Sequence, residues 1–265
     1  MSKMPNRLKK ARAAYKTKNI EEVKKAHQTN NIRALELHKH EGTYVGDFVF
    51  GAIDGSITTF AVVSGVAGAA LSANIVIILG LANLLADGFS MAVGNYLSSK
   101  SDMEFAQRER NRETWEVEHY PKGEIEEIRS IFRRKGFQGK QLENAVKTIT
   151  SNKKVWVDTM MIEELNIIEE KTSPVKRGLV TFIAFGLVGV VPLIPYLISF
   201  FSEAVKQIVF PLSVILTFIA FFLVGSAKIY VTGKNWLKSG LETLLIGSAA
   251  AIIAYGIGFF LRGLA

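Results

Sequence analysis

DGSITTFAVVSGVAGAALSANIVIILGLANLLADGFSMAVGNYLSS, residues 54–99, is two apolar runs joined by LSAN (71–74), four residues without charge. Each run, with its flank, approaches the roughly 20 residues that a helix needs to cross a hydrocarbon core. A joint that short leaves room only for a turn. The stretch therefore reads as a helical hairpin that crosses a bilayer and returns. Asp54 opens the first run and Asp87 sits inside the second, so two carboxylates lie where a charge is costly.

The same length criterion, carried outward, gives spans at about 47–70, 75–98, 178–200, 207–230 and 241–262. The expected fold is an all-α membrane protein with five transmembrane helices and a three-helix cytoplasmic insert between spans two and three. Four regions follow: a basic segment 1–46, the hairpin 47–100, the insert 101–173, and spans three to five in 174–265.

Charge segregates in the same way. Residues 1–46 carry eleven Lys/Arg against four Asp/Glu, and residues 101–173 carry thirteen against fifteen. The rest of the chain holds only eight basic and five acidic residues. A mean hydropathy of +0.22 thus averages two wet blocks with two apolar ones. The basic N-terminus, the insert and the loop KIYVTGKNWLKSG (228–240) belong inside by the positive-inside rule, which places the C-terminus outside. There is no cysteine, which excludes disulfides, zinc fingers and iron–sulfur clusters. The N-terminus lacks the apolar core of a signal peptide. With no targeting signal, the simplest expected location is a prokaryotic plasma membrane. The basic segment reads as helical, resting on anionic headgroups or on the insert, or else as a solvated tail.

The insert shows helical patterning throughout. DMEFAQRERNRETWEVEHY continues the second span into water. Ile125, Ile128, Ile131 and Phe132 mark the next helix, with Gly136 placed to cap it. A further helical stretch follows, with a break expected at Thr150–Asn152.

Polar residues inside the spans fall into stripes. Asp47 and Asp54 are seven apart, on one helix face, with Thr58 beyond them. Asn83, Asp87, Met91 and Asn95 each follow the last by four, a second stripe facing the first. Asp47 also reads as an interfacial carboxylate. An ionisable residue at membrane depth is by default a functional residue, so the stripes read as a cation path. Carboxylates with a thioether favour a borderline transition metal over Mg2+ or Ca2+. Gly51 and Gly55 form a GxxxG pair, which beside the carboxylate line suggests that spans one and two pack at a dimer axis.

In the insert, Glu109, Glu113 and Glu116 share one helix face, Glu124 and Glu127 another, and Met160–Met161 precede Glu163–Glu164. Paired glutamates on a wet helix are common. Stacked carboxylates repel unless a cation lies between them, however. Two adjacent methionines leave at least one expected at an edge. Glu116 and His119 have the Glu-x-x-His spacing of di-iron centres, but such a centre needs two of these motifs.

Six motifs together resemble the vacuolar iron transporter (VIT) family, in the branch with a cytoplasmic metal-binding domain: GAIDGSITTFAVVSGVAGA (51–69), ADGFSMAVGNYLS (86–98), ERNRETWEVEHYPKGEIEEI (109–128), KGFQG (135–139), WVDTMMIEELNI (156–167) and PVKRGLVTFIAFGLVGVVPLIPY (174–196). The resemblance covers roughly residues 44–262. It implies a homodimer that moves Fe2+ out of the cytosol in exchange for protons, along a path between subunits. Asp54 and Met91 match the key path residues. Glu113, Glu116, Glu124, Glu127, Met160, Met161 and Glu164 match the metal-gathering residues, with Glu109 one turn before them. Two positions depart from the family pattern: Asn95 stands where many members have glutamate, and Asp87 where many have a small residue.

The expected function is proton-coupled export of Fe2+, with Mn2+, Co2+ or Zn2+ as further substrates. Its partners are divalent metal ions, protons, the bilayer and a second copy, without nucleic acid or a resident cofactor. The alternative is a membrane-anchored metal sensor or store that does not transport. An enzyme is not expected, since no nucleophile–base pair, phosphate loop or paired histidine is visible.

Overall fold

A computed structural model describes residues 13–15, 17–26, 42–169, 172–229 and 235–264. Most of the basic N-terminal segment and part of the loop 228–240 lie outside the described residues, and with them most of what was expected of both. Within that segment a short helix, Ile20–Ala26, is capped by Asn19, whose side chain accepts from the backbone N–H of Glu21 and Glu22.

Among the described residues every regular element is helical. Five helices are long and apolar enough to cross a membrane. The first two are α1 (Gly42–Gly68) and α2 (Ala73–His119), joined at the turn expected from LSAN. The insert adds α3 (Pro121–Arg134), α4 (Gly139–Thr150) and α5 (Lys153–Glu163). The remaining spans are α6 (Pro174–Gly189, continued by a short helix to Ser199), α7 (Val209–Ala227) and α8 (Trp236–Leu261). At 1.5 Å per residue, the 47 residues of α2 make a rod of about 70 Å, longer than a bilayer is thick, so it carries the chain from the hairpin into the insert.

Local chemistry sets the boundaries. Pro121 opens α3 in its first turn, where its missing N–H costs nothing. Gly136 ends it with φ +95°. Its N–H donates to Arg133 O and that of Phe137 to Phe132 O, a Schellman closure completed by the Phe132–Phe137 ring contact. The expected break at Thr150–Asn152 is present: Asn152 caps α5 by accepting from the N–H of Lys154 and Val155. In the third span the helix gives way to a single 3-10 turn at Val191–Leu193, because Pro192 and Pro195 cannot donate to the helical ladder. Ser213 on α7 donates to the Pro192 carbonyl at 2.7 Å, so this irregular backbone has a partner inside the bundle.

Glycines bring the spans together, and they do so within one chain. A Cβ on Gly51 would lie 2.4 Å from the Thr181 carbonyl, and one on Gly55 2.5 Å from that of Phe185. The Gly51-xxx-Gly55 pair is therefore used against α6, not at the dimer axis its spacing suggested. At the other end of α1, Gly65 and Gly68 meet Gly258 and Tyr255 of α8. Between them Phe60 packs edge-on against Phe218 and Phe221 of α7. α1 is thus enclosed by three other spans, and half of its apolar window is buried against 22% for that of α2.

The insert has its own core. Val117, Ile128, Ile131, Leu142, Val146 and Trp156 pack together with Val157, Met160 and Met161. The last pair corrects an expectation: neither methionine is at an edge, with Met160 at 0% and Met161 at 1% exposure. α5 lies against both α2 and α4, so two adjacent stripes of one helix, 156/160 and 157/161, are covered at once.

Candidate metal centre

Two helix faces build the centre of the insert. On α2, Glu113 precedes Val117 by four residues; on α3, Glu124 precedes Ile128 by four. Each glutamate therefore continues an apolar stripe into the core. Glu113 is 1% exposed and Glu124 5%. Glu116, half-buried, completes a group in which one carboxylate oxygen from each residue lies within 4.8 Å of the others. Both oxygens of Glu113 and Oε2 of Glu124 are buried without a hydrogen-bond donor. Buried carboxylates in that condition are costly, and a cation between them removes the cost.

The electrostatics follow. Burial pushes both Glu113 and Glu124 up to about 7; neighbouring glutamates add to the rise, and Arg112 partly offsets it at Glu113. Glu164 is raised too, by partial desolvation first and then by Glu127, to which it is hydrogen-bonded. The structure thus brings together Glu113, Glu116 and Glu124, with Glu127 and Glu164 in electrostatic range. Glu109 behaves differently: hydrogen bonds from Arg108 and Arg112 hold its carboxyl below the usual range. His119 is not among them; it stacks on Trp115, with Nδ1 2.8 Å from that residue's carbonyl.

Inside the spans, the hairpin register sets the two stripes face to face. Asn95 donates to Asp47 at 3.0 Å and to Thr181 at 2.8 Å. Seven residues further along α1 and eight back along α2, Asp54 and Asp87 lie close enough to repel one another. Met91 falls between these levels on the same face of α2. One turn beyond Asp87, the Asn83 amide nitrogen is buried without a partner.

The two aspartates of α1 differ. Asp47 is 6% exposed, and Arg177 donates to both of its oxygens at 3.0 and 3.2 Å. Among the described residues no side chain donates to the carboxylate of Asp54 or Asp87. Arg177, Thr181 and Arg112 are the residues that sequence reasoning missed. Arg177 carries a readable signal, since it stands in VKRG (175–178), in the first turn of the third span, whose helix begins at Pro174, four residues before the expected 178.

A helical bundle with carboxylates inside its spans and a carboxylate cluster in its insert has the make-up of a membrane transporter for metal ions. The chain belongs to the VIT family, whose sequence pattern matches residues 45–259. It is 37% identical to a vacuolar iron transporter of Toxoplasma gondii, over 96% of this chain and 88% of that one. It is 34% identical to a vacuolar iron transporter of Plasmodium berghei, over 95% of each chain. It is 38% identical to vacuolar iron transporter 1 of Eucalyptus grandis, over 85% of this chain and 91% of that one. The protein is accordingly an iron or metal-ion transporter of a membrane. These relatives are eukaryotic and named for a vacuole, and they give no support to the prokaryotic plasma membrane expected above.

Proposed function

We propose that the protein exports Fe2+ from the cytosol in exchange for protons, as a homodimer, and also accepts Mn2+, Co2+ and Zn2+. The observation that carries this reading is the pair of buried, donor-starved carboxylates Glu113 and Glu124 beside Glu116. Metal collects there, with Glu127 and Glu164 supplying further oxygens and the thioethers of Met160 and Met161 supplying softness. It then passes Asp54, Asp87 and Met91 inside the membrane. Asp87 takes over the acidic role that Asn95 gives up, since Asn95 here is a neutral donor that braces Asp47. Asp47 stands at the inner mouth of the path. Protons from the far side load the same carboxylates as the metal leaves. The lightly buried face of α2, with Leu85 and Phe89 exposed, is where a second copy packs. The N-terminus and the insert face the cytosol.

Proteoliposomes filled with a metal-sensing dye test this directly. Fe2+ uptake is expected to need a proton gradient running opposite to the metal. Asp54→Ala and Met91→Ala are expected to reduce the flux by an order of magnitude or more, the scale on which loss of an ion-binding group acts. A sensor or store would bind metal through the insert and show no flux. Parent-like transport in both variants would rule out the path, and flux indifferent to the pH gradient would rule out the exchange.

A further inference from the structure

One cation already occupies the glutamate cluster. Arg112, on the same turn of α2, reaches three carboxylates: Glu109 Oε2 at 3.1 Å from Nε, Glu116 Oε2 at 2.5 Å from Nη1, and Glu113 Oε1 at 2.6 Å from Nη2. The contact to Glu113 is one of charge and lacks hydrogen-bond geometry, which is why both Glu113 oxygens still want a donor. Two of the three carboxylates that can close on a cation, Glu113 and Glu116, are thus turned toward the guanidinium. The spacing explains how one arginine does this: Glu109 is i−3 and Glu116 is i+4, both neighbours on the helix surface. The arginine itself is 43% exposed, so it can swing into water without disturbing the core.

We infer that Arg112 is a tethered, displaceable counter-ion. It holds the cluster together when metal is absent and must be expelled from Glu113 and Glu116 when metal binds. The inference rests on the reading of the insert as the metal-gathering site. Its consequence is a threshold. A guanidinium carries one delocalised charge and is fixed beside its partners, so a monovalent ion from solution gains little by replacing it. A divalent ion brings twice the charge to the same oxygens and replaces it with profit in Coulomb energy. The displaced arginine stays nearby and recaptures the carboxylates once the metal moves on, which speeds release. Arg112 is therefore a specificity-determining residue that favours divalent ions and trades affinity for turnover.

The test is Mn2+ titration of the purified full-length protein in detergent, read by calorimetry or by the loss of the free-ion electron paramagnetic resonance signal, at pH 8. Mn2+ avoids oxidation during the measurement. Arg112→Gln is expected to bind Mn2+ of the order of fivefold more tightly, the scale of one unit charge swung out to about 8 Å from a divalent ion in water, with most of the gain in a slower dissociation rate. Arg112→Lys, which keeps the charge, is expected to stay within about twofold of the parent. Potassium chloride is expected to weaken Mn2+ binding more in Arg112→Gln than in the parent. Equal or weaker binding in Arg112→Gln overturns the inference and makes the arginine a brace that positions the glutamates. Glu113→Gln separates the two levels of argument. Parent binding that is indifferent to Glu113→Gln overturns the gathering site and this inference with it. Binding that needs Glu113 but is not tightened by Arg112→Gln overturns the inference alone.

Discussion

Asp47 and Asp54 stand on one face of one helix, seven residues apart, and their surroundings give them different work. Asp47 is closed off by the two-pronged Arg177 and by Asn95, whereas Asp54 receives no donor from a described side chain. Breaking a buried ion pair leaves one charge uncompensated, so Arg177→Gln is expected to cost about 3–5 kcal/mol. Adding Asp47→Asn to it should recover much of that loss, because no lone charge then remains. Thermal unfolding of the single and double variants in detergent measures the coupling, and additive losses would count against the pair. The insert glutamates carry a pH signature of their own. Glu113 and Glu124 sit at about 7 in the folded chain against an ordinary 4.5. Between those values the folded state holds more protons than the unfolded one. Their contribution to stability is therefore complete below about pH 4.5 and is lost as pH rises through about 7. Without metal, the parent is expected to lose stability from pH 5 to pH 8 relative to the Glu113→Gln/Glu124→Gln variant, whose neutral amides do not titrate. Added Mn2+ should restore the parent, most strongly at pH 8. Scanning fluorimetry across that window checks both signs, and a parent–variant difference that stays flat with pH would contradict them.

At the scale of elements, α5 separates packing from ligation. Met160 and Met161 lie in the insert core, and methionine fills such space much as leucine does. Met160→Leu and Met161→Leu are expected to change stability by less than about 1.5 kcal/mol, whereas Met160→Ala should cost about 2–5 kcal/mol through the cavity it leaves. If the thioethers also touch metal, the leucine variants will keep their melting temperature and lose affinity for Fe2+. Equal affinity in parent and leucine variants would assign both methionines to packing alone. Helix α1 gives a second case. Gly51→Val pushes a side chain into the Thr181 backbone, which cannot step aside, so a loss of at least the ~1–3 kcal/mol of overpacking is expected in the single chain. These elements also show what the sequence made readable. Span lengths, the LSAN turn, the Gly136 cap and the glutamate faces all depend on local spacing, and local spacing is visible in one dimension. The partner of Gly51, the burial of Met161 and the arginine across from Asp47 depend on which helix lies opposite, and no periodicity within one segment reports that.

Residues 44–265 are organised around the single rod of α2, which carries Asp87 and Met91 in the membrane and Glu113 and Glu116 in the insert. From Met91 to Glu113 the helix advances about 33 Å without a break. Arg110 stiffens the upper part by reaching Asp158 at 2.7 Å and also pairing with Glu169 on the chain returning to α6. On the proposed reading, a fixed rod would hold the gathering site at a constant position relative to the path, so that metal released from the insert would meet the inner mouth at a raised local concentration. Three glycines inserted between Glu104 and Phe105 would cut the rod outside both sites. Binding of Mn2+ at the insert is then expected to remain within about twofold of the parent, since the core of α3, α4 and α5 is untouched. Fe2+ flux in proteoliposomes should show a half-saturating concentration several-fold higher, with the maximal rate retained, because a saturating supply no longer depends on delivery from the insert. An insert that merely stores metal predicts no change in either kinetic quantity. Loss of the maximal rate would instead mean that α2 transmits a movement into the membrane, and that the rod drives the path as well as feeding it.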